Sequence, residues 1–328
     1  MCGNPSFDGN FRWENDMSFL SKIAIGVTAL MLSLPAVVNA DETRVVFVTH
    51  GQAADQYWSV VKKGMDDAAK TMGVKAEYLA PETFDMPAMQ KLLDAAIASK
   101  PDGLVVSIPD ENALSASVEN AVKSGIPVIV IDSGGSELSK KLGALLFMGQ
   151  SEYDAGVAAG ARAKALGVQH GVCVNHEVGN VSLDDRCRGF KDGLGVDVPV
   201  LQGVMDPTEM KGRIAAHLTS HPDTDFVLTV GSAGADPALA AIDEAGLSGK
   251  LKTGTFDLSP TILQAVADGK MEWGIDAQQY LMGYFPVMAF DLMKRYKLVP
   301  IADFPTGPGF VGKAEAATVI DLAKQGVR

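Results

Sequence analysis

The stretch PDGLVVSIPDENALSASVENAVKSGIPVIVIDSGG, residues 101–135, decides the fold class. It contains two runs, 103–108 and 127–131, that are apolar almost throughout, and an amphipathic helical segment, 112–124, lies between them. Strands that lack polar alternation are typical of parallel sheets that helices cover on both faces. The stretch therefore predicts a strand–helix–strand unit of an α/β protein.

The same alternation of strand and helix continues along the rest of the chain. Further apolar runs are predicted as strands at 44–49, 74–79, 171–174, 198–203, 225–230, 251–256 and 271–275. The dipeptides Asp206-Pro207, Asp236-Pro237 and Ser259-Pro260 each place a capping side chain before a proline, which predicts helix starts. With about five strands in each half and no low-complexity linker, we expect two α/β lobes joined by several crossing segments.

Composition and charge exclude some classes of partner. The chain has 328 residues and a formal net charge of −12, with no cluster of basic residues. A protein that binds a duplex needs a basic face to displace counterions from the phosphates. We therefore expect no nucleic-acid partner and no attachment to an anionic membrane surface.

An export signal is predicted near the N-terminus. From Met17 the chain presents Lys22 as the charged region, an apolar run over 23–34, and small residues that end at Ala40. A membrane anchor, the alternative, needs about 20 apolar residues, and this run is shorter. We interpret residues 1–16 as an extension ahead of the true start, and we expect cleavage after Ala40 and a periplasmic location.

Two cysteines, Cys173 and Cys187, remain after the predicted cleavage. An even number of cysteines in an exported chain favours a disulfide between them. Two buried free thiols are the alternative. Metal binding is disfavoured, because no histidine follows at ligand spacing.

Motifs for a cofactor are missing from the sequence. The first strand is followed by HGQAAD, residues 50–55, rather than by the G-x-G-x-x-G turn of dinucleotide-binding proteins. His217 and His221 have helical spacing, but we interpret them as a solvated helix end. We expect no cofactor and no metal site.

Ligands of open parallel sheets bind beyond the carboxyl ends of the strands. The candidate ligand-binding residues at those ends are His50, Asp55, Tyr57, Trp58, Asp132, Ser133, Asn175, Asp206, Ser232, Asp257 and Gln278. Carboxylates accept hydrogen bonds from hydroxyl groups, and an aromatic face covers the C–H surface of a sugar. The set predicts a small neutral polyhydroxylated ligand. Some of these residues also have structural interpretations. Asp206 could serve only as a helix cap, the Tyr57-Trp58 pair could anchor the core, and His50 could be a histidine of a loop without a ligand.

With these residues in view, the chain resembles the type I periplasmic solute-binding proteins of ABC importers, in the ribose-binding-like sugar and polyol group. The resemblance covers essentially all of 44–328. The stretches that carry it are VTHGQAADQYWSVVKKGMDDAAK (48–70), PDGLVVSIPDENAL (101–114), IPVIVIDSGG (126–135), RCRGF (186–190) and GTFDLSP (254–260).

The resemblance implies a fold and adds a site residue. It implies two Rossmann-like lobes joined by a three-strand hinge. Lobe 1 would comprise 41–149 plus 277–306, and lobe 2 would comprise 150–276 plus 307–328. It assigns Arg186 to ligand binding, beside Asp132 and Asp257. The chain departs from ribose-type members at Ser133, where they carry Arg, and at Ala277, where they carry Gln and this chain has Gln278 beside it.

The function that the resemblance implies is capture of a small neutral sugar or polyol and its delivery to the membrane subunits of an ABC permease. We expect a monomer without catalysis. Two alternatives are an exported carbohydrate-active enzyme, with Asp132 and Asp257 as paired carboxylates, and a sensory module that binds a sugar-like signal and contacts a chemoreceptor.

Overall fold

The structure is a computed structural model that describes residues 42–51 and 55–328. The predicted extension over 1–16 and the export signal with its cleavage site after Ala40 lie outside the described residues. Across 42–51 and 55–328, no helix is long and apolar enough to cross a membrane.

The strands of the described residues form two six-stranded sheets. In chain order they are β1 (Arg44–Val48), β2 (Lys75–Leu79), β3 (Gly103–Val106), β4 (Val128–Ile131), β5 (Leu146–Gly149), β6 (Gly171–Asn175), β7 (Val200–Gln202), β8 (Phe226–Thr229), β9 (Lys252–Phe256), β10 (Gly274–Asp276), β11 (Phe304–Pro305) and β12 (Gly309–Val311).

Helices separate most of these strands. Over the same described residues they are α1 (Gln56–Met72), α2 (Met86–Ala98), α3 (Glu111–Lys123), α4 (Gly135–Lys141), α5 (Glu152–Ala165), α6 (Val181–Leu194), α7 (Pro207–Ser220), α8 (Ser232–Glu244), α9 (Pro260–Ala267), α10 (Gln279–Tyr296) and α11 (Lys313–Lys324).

The two sheets confirm the predicted α/β fold class. Their strand orders are β11-β5-β4-β3-β1-β2 and β12-β10-β9-β8-β6-β7. Strand β1 shows why its residues are apolar on both faces. Val45 and Phe47 pack with α1 and α10, whereas Val46 and Val48 pack with α2 and α3. A strand covered by helices on both faces has no polar side, so alternation is absent from its sequence.

Over the described ranges 42–51 and 55–328, the chain passes between the sheets three times: from β5 to α5, from β10 to α10, and from β11 to β12. We propose to place the lobe boundaries in these passages, after 149, 276 and 306. Strands β5 and β11 both leave the first sheet here and are parallel to each other. Strand β12 enters the second sheet where β10 leaves it, so this pair is antiparallel, which the expectation of purely parallel sheets missed.

Helix caps follow the sequence at most predicted starts. Asp206 and Ser259 cap α7 and α9 ahead of their prolines. The expected start at Asp236-Pro237 is wrong, because α8 begins at Ser232 and Pro237 lies inside it. Pro237 is the sixth residue of α8, beyond its first turn, so the backbone bond that an N–H here would make to the Ala233 carbonyl is missing.

Candidate functional site

A cavity of about 440 Å³ lies where the carboxyl ends of the two sheets face each other. It brings together residues that are far apart in the chain, in agreement with the rule for open parallel sheets. Nine of the twelve residues that the sequence nominated line it: His50, Asp55, Tyr57, Trp58, Asp132, Ser133, Arg186, Ser232 and Asp257.

On the side of the first sheet, Asp132 is the central acceptor. It directly follows β4, is buried, and has a left-handed backbone with φ of 62°. The hydroxyl of Tyr57 donates to one carboxylate oxygen, and Ser133 Oγ donates to the other over 2.7 Å. Burial and the charge of Asp132 raise the pKa of Tyr57 well above its ordinary value, so this hydroxyl stays a donor. The carboxylate is thereby held in one orientation toward the cavity.

Aromatic side chains form an apolar wall beside Asp132. The ring of Trp58 meets those of Tyr57 and His50 edge to face, at centroid distances of 5.1 and 4.8 Å. Phe84 continues the wall, 5.8 Å from His50. Asp55 fixes the start of α1 by accepting from the backbone N–H groups of Tyr57 and Trp58. Such a wall suits the C–H face of a sugar ring.

On the side of the second sheet, Arg186 is held by several partners. Its Nε and Nη2 donate to the two oxygens of Glu152 over 2.6 and 2.9 Å, and its Nη1 donates to the Val230 carbonyl over 2.7 Å. The guanidinium also lies 4.6 Å over the ring of Phe256. Burial opposes its charge, but the Glu152 carboxylate outweighs this and raises the pKa of Arg186 above its ordinary value.

Asp257 follows β9 as Asp132 follows β4, and it shares the left-handed backbone, with φ of 69°. Its Oδ1 is buried, has no hydrogen-bond partner among residues 42–51 and 55–328, and lies 3.9 Å from Arg186 Nη1. Burial raises the pKa of Asp257 to about 7, although the charge of Arg186 acts in the opposite direction. An unpaired buried carboxylate oxygen is costly, and a ligand hydroxyl would relieve that cost.

The two lobes touch around the cavity. His50 Nε2 lies 3.4 Å from Asn180 Nδ2 and 3.8 Å from Glu177 Oε2, both on the loop that follows β6. The N–H of Val181 donates to the carbonyl of Pro109 over 3.2 Å. These contacts join the lobes directly at the edge of the cavity.

Three nominated residues lie off the cavity, because their polar groups are used elsewhere. Asn175 donates to Asp184 over 2.8 Å. Asp206 is exposed and accepts a hydrogen bond from the N–H of Glu209 over 2.8 Å. It therefore caps α7, which is the structural alternative to ligand binding. Gln278 donates to the carbonyl of Thr306 at the crossover between the sheets.

Sequence reasoning missed several lining residues, namely Glu82, Thr83, Phe84, His176, Glu177, Asn180 and Met205. They lie on the loops after β2, β6 and β7, up to five residues beyond the strand end. In these loops the sequence reasoning nominated no residue after β2, only Asn175 at the end of β6, and Asp206 rather than Met205 after β7. A search over whole loops would have found them.

The predicted disulfide joins Cys173 of β6 to Cys187 of α6, with Cα atoms 5.7 Å apart. Both cysteines are buried, and the bond ties α6 to the sheet beside Arg186. Within 42–51 and 55–328, no group of three or more His, Cys, Asp or Glu side chains could hold a metal ion. His217 and His221 stack on each other, 4.3 Å apart.

Replacing both cysteines with alanine should lower the free energy of unfolding by roughly 3 kcal/mol, because the bridged loop no longer restricts the unfolded chain. Alanine avoids placing a hydroxyl in the core. Urea unfolding of the variant and of the oxidised wild type measures the difference. Wild type under reductant is the control and should match the variant, whereas an unchanged midpoint in both would contradict this role.

The fold and the cavity define the class: a two-lobed α/β protein with a polar cavity between the carboxyl ends of its two sheets. A model of the periplasmic binding protein domain matches residues 45–296, and the chain belongs to that family.

Individual relatives agree with this assignment. The chain is 33% identical to a carbohydrate transporter from Acidothermus cellulolyticus 11B, solved in complex with myo-inositol, with a TM-score of 0.82 over 88% of this chain and 100% of that one. It is 28% identical to an ABC sugar transporter (periplasmic sugar binding protein) from Legionella pneumophila, with a TM-score of 0.75 over 81% of this chain and 100% of that one.

A curated relative is the xylose/arabinose-binding protein XylF of Sulfolobus acidocaldarius. It is 26% identical over 267 residues, which are 76% of this chain. The match spans 65% of the length of that relative.

Proposed function

We propose that this protein is the extracytoplasmic solute-binding component of an ABC importer, and that it captures a small sugar or polyol between its lobes. The observation that carries the proposal is the pairing of Asp132 and Asp257 in one cavity. Each follows a strand of a different sheet, each is buried, and Asp257 Oδ1 has no hydrogen-bond partner in the part of the chain that the structure describes. A ligand with several hydroxyl groups can donate to both carboxylates at once and so hold the lobes together.

The other groups of the cavity fit the same ligand. Arg186 is a preorganised donor, since Glu152 and the Val230 carbonyl hold its guanidinium in place. Trp58 offers an aromatic surface against which a pyranose or cyclitol ring can pack. Relatives solved as a carbohydrate transporter with myo-inositol and as a sugar transporter support this class of ligand.

Delivery of the ligand to the permease depends on closure of the two lobes over it. The closed form presents surfaces of both lobes in one arrangement, and the membrane subunits of the permease would recognise that arrangement. A chemoreceptor that reads the closed form is a further partner of the same kind. We also propose a periplasmic location, reached through the signal predicted to be cleaved after Ala40.

A thermal-shift screen over pentoses, hexoses, tetritols, hexitols and inositols, followed by calorimetry, tests the proposal. We expect one narrow class to raise the melting temperature, with a dissociation constant on the order of micromolar, about −8 kcal/mol. Ligand recovered after binding should be chemically unchanged, and its turnover would favour a carbohydrate-active enzyme. Amino acids are the negative control, and no shift with any sugar or polyol would reject the function.

Asp132→Asn should weaken binding of that ligand by about 1.5–3 kcal/mol, roughly 10- to 150-fold, because a hydrogen bond to a charged group is lost. Asparagine tolerates the left-handed backbone that this position adopts, so the fold is kept. Calorimetry measures the change. Asp206→Asn keeps a helix cap on an exposed residue off the cavity and should bind as wild type does. Equal affinities in the two variants would remove Asp132 from the site.

A further inference from the structure

The charges around the cavity are unbalanced. Five acidic side chains line it, namely Asp55, Glu82, Asp132, Glu177 and Asp257, and burial raises the pKa of Asp257 to about 7. Among the lining residues that the structure describes, Arg186 is the single lysine or arginine. Its charge is already matched by Glu152, which lies behind it in a two-point ion pair. His176 adds no positive charge at neutral pH, because burial and the nearby Arg186 lower its pKa to about 4.

The carboxylates of the cavity offer several acceptors, and many of its charged and amide N–H donors are already used. Three of the five N–H groups of Arg186 are used by Glu152 and the Val230 carbonyl. The amide of Asn180 donates to Glu177 over 2.7 Å. Carboxylate oxygens accept only, and Asp257 Oδ1 accepts from no group of the described residues. A ligand that complements this lining must bring more donors than acceptors.

His50 lies near carboxylates from both sides of the cavity. Asp132 Oδ2 of the first lobe and Glu177 Oε2 of the second both lie within 4.0 Å of His50 Nε2. Charges of one sign that approach in a partly buried cavity oppose closure, and a positive group between them offsets this repulsion. An ammonium group supplies that charge and three N–H donors.

From this imbalance we infer that the ligand carries one amino group, as an aminodeoxy sugar or an aminocyclitol does. The inference rests on the proposed function, because it takes a sugar-like ligand as given. It narrows the neutral ligand that the sequence predicts. The amine would lie near Asp132 and Glu177, on the opposite side from Arg186, and the hydroxyl groups would reach Asp257.

Calorimetry at pH 6.5 on matched pairs tests the inference. The pairs are D-glucose with D-glucosamine, D-galactose with D-galactosamine, and myo-inositol with an aminodeoxy-inositol. In the pair that binds best, we expect the amine to bind at least tenfold tighter than its hydroxyl parent. The N-acetyl derivative, which has the same nitrogen without its charge, should lose this advantage.

The outcomes separate the inference from the proposed function. If every parent binds as tightly as its amine or tighter, the inference is overturned and the sugar-binding function stands. If no member of any pair binds and the wider sugar screen is also negative, both the inference of an amino group and the proposed sugar-binding function are rejected. Affinity for a neutral parent that rises at low pH to match its amine would assign the positive charge to the protein and would overturn the inference.

A variant locates the amine. Glu177→Gln should reduce the amine-to-parent affinity ratio at least fivefold, because one of the two nearest carboxylates has lost its charge. Glu209→Gln, on the exposed face of α7 and away from the cavity, should leave the ratio unchanged. An unchanged ratio in Glu177→Gln, in protein that melts as wild type does, would overturn the placement and the inference with it.

Discussion

Arg186→Ala should lower the free energy of unfolding by about 3–5 kcal/mol, because it leaves the buried Glu152 carboxylate without its partner. The two side chains are 3% and 6% exposed, and both nitrogens of the fork reach Glu152. Removing one member of a buried pair costs more than the pair contributes, since the other member keeps its charge without water. Urea unfolding at pH 7 measures the loss.

The same helix offers a matched control. Arg188, two residues further along α6, is 63% exposed and pairs with Asp185 at the surface. Arg188→Ala should change the free energy of unfolding by less than about 1 kcal/mol. In a protein that already carries Glu152→Gln, Arg186→Ala should lower the free energy of unfolding by much less than it does in wild type. A loss below about 1 kcal/mol for Arg186→Ala alone would contradict the role given to the pair.

Asp257→Asn should become more stable relative to ligand-free wild type as pH rises. The difference in the free energy of unfolding between the two proteins should change by about 3 kcal/mol from pH 5 to pH 8. Burial raises the pKa of Asp257 from 3.8 to about 7. Stability from a raised acid is complete below its unfolded pKa and is lost as pH rises through its folded pKa. Wild type therefore loses stability over this window, and the asparagine variant has no such group. Asparagine also accepts the left-handed backbone of this position.

Thermal or urea unfolding of both proteins at pH 5, 6, 7 and 8 measures this difference. Asp197→Asn is a control without pH dependence in this range, because hydrogen bonding to Lys191 lowers the pKa of the exposed Asp197 from its ordinary value of 3.8. Its contribution to stability is complete above the unfolded pKa and is lost only at lower pH, so the difference between Asp197→Asn and wild type should stay flat from pH 5 to pH 8. A difference between Asp257→Asn and wild type that stays flat with pH would contradict the raised pKa. Asp257→Asn should also bind the ligand more weakly than wild type. The Asp257 carboxylate would then lower stability in the free protein and be kept because it binds the ligand.

Part of the site was readable from the strand ends. Asp132 and Asp257 were found because each directly follows an apolar strand, and that edge of a parallel sheet is where ligands bind. The same rule also nominated Asn175 and Asp206, which the structure uses within the second lobe. A position at a strand end is a local property. Whether a side chain there faces a ligand depends on which protein groups compete for its hydrogen bonds, and local sequence does not contain that information.

Glu152 and Glu177 show the opposite failure. Glu152 lies 34 positions before its partner Arg186, and nothing in the spacing links them. Glu177 reaches the cavity only because the lobes meet at His50. Both contacts arise from the packing of α5 against α6 and from contact between the lobes. These are properties of the assembled sheets rather than of any single segment.

The sequence alone determined the α/β class, the two lobes and the residues at the strand ends, because the apolar period of a strand or helix is set by its own backbone geometry. It also pointed to the Cys173–Cys187 bridge and to an acidic protein unsuited to nucleic acid. Only the tertiary structure decided which polar groups share the cavity. It also decided that Glu152 balances the charge of Arg186 and that acidic side chains outnumber cations in the cavity. Those features depend on distances between segments that are remote in the chain, and these distances exist only once both sheets are formed and facing each other.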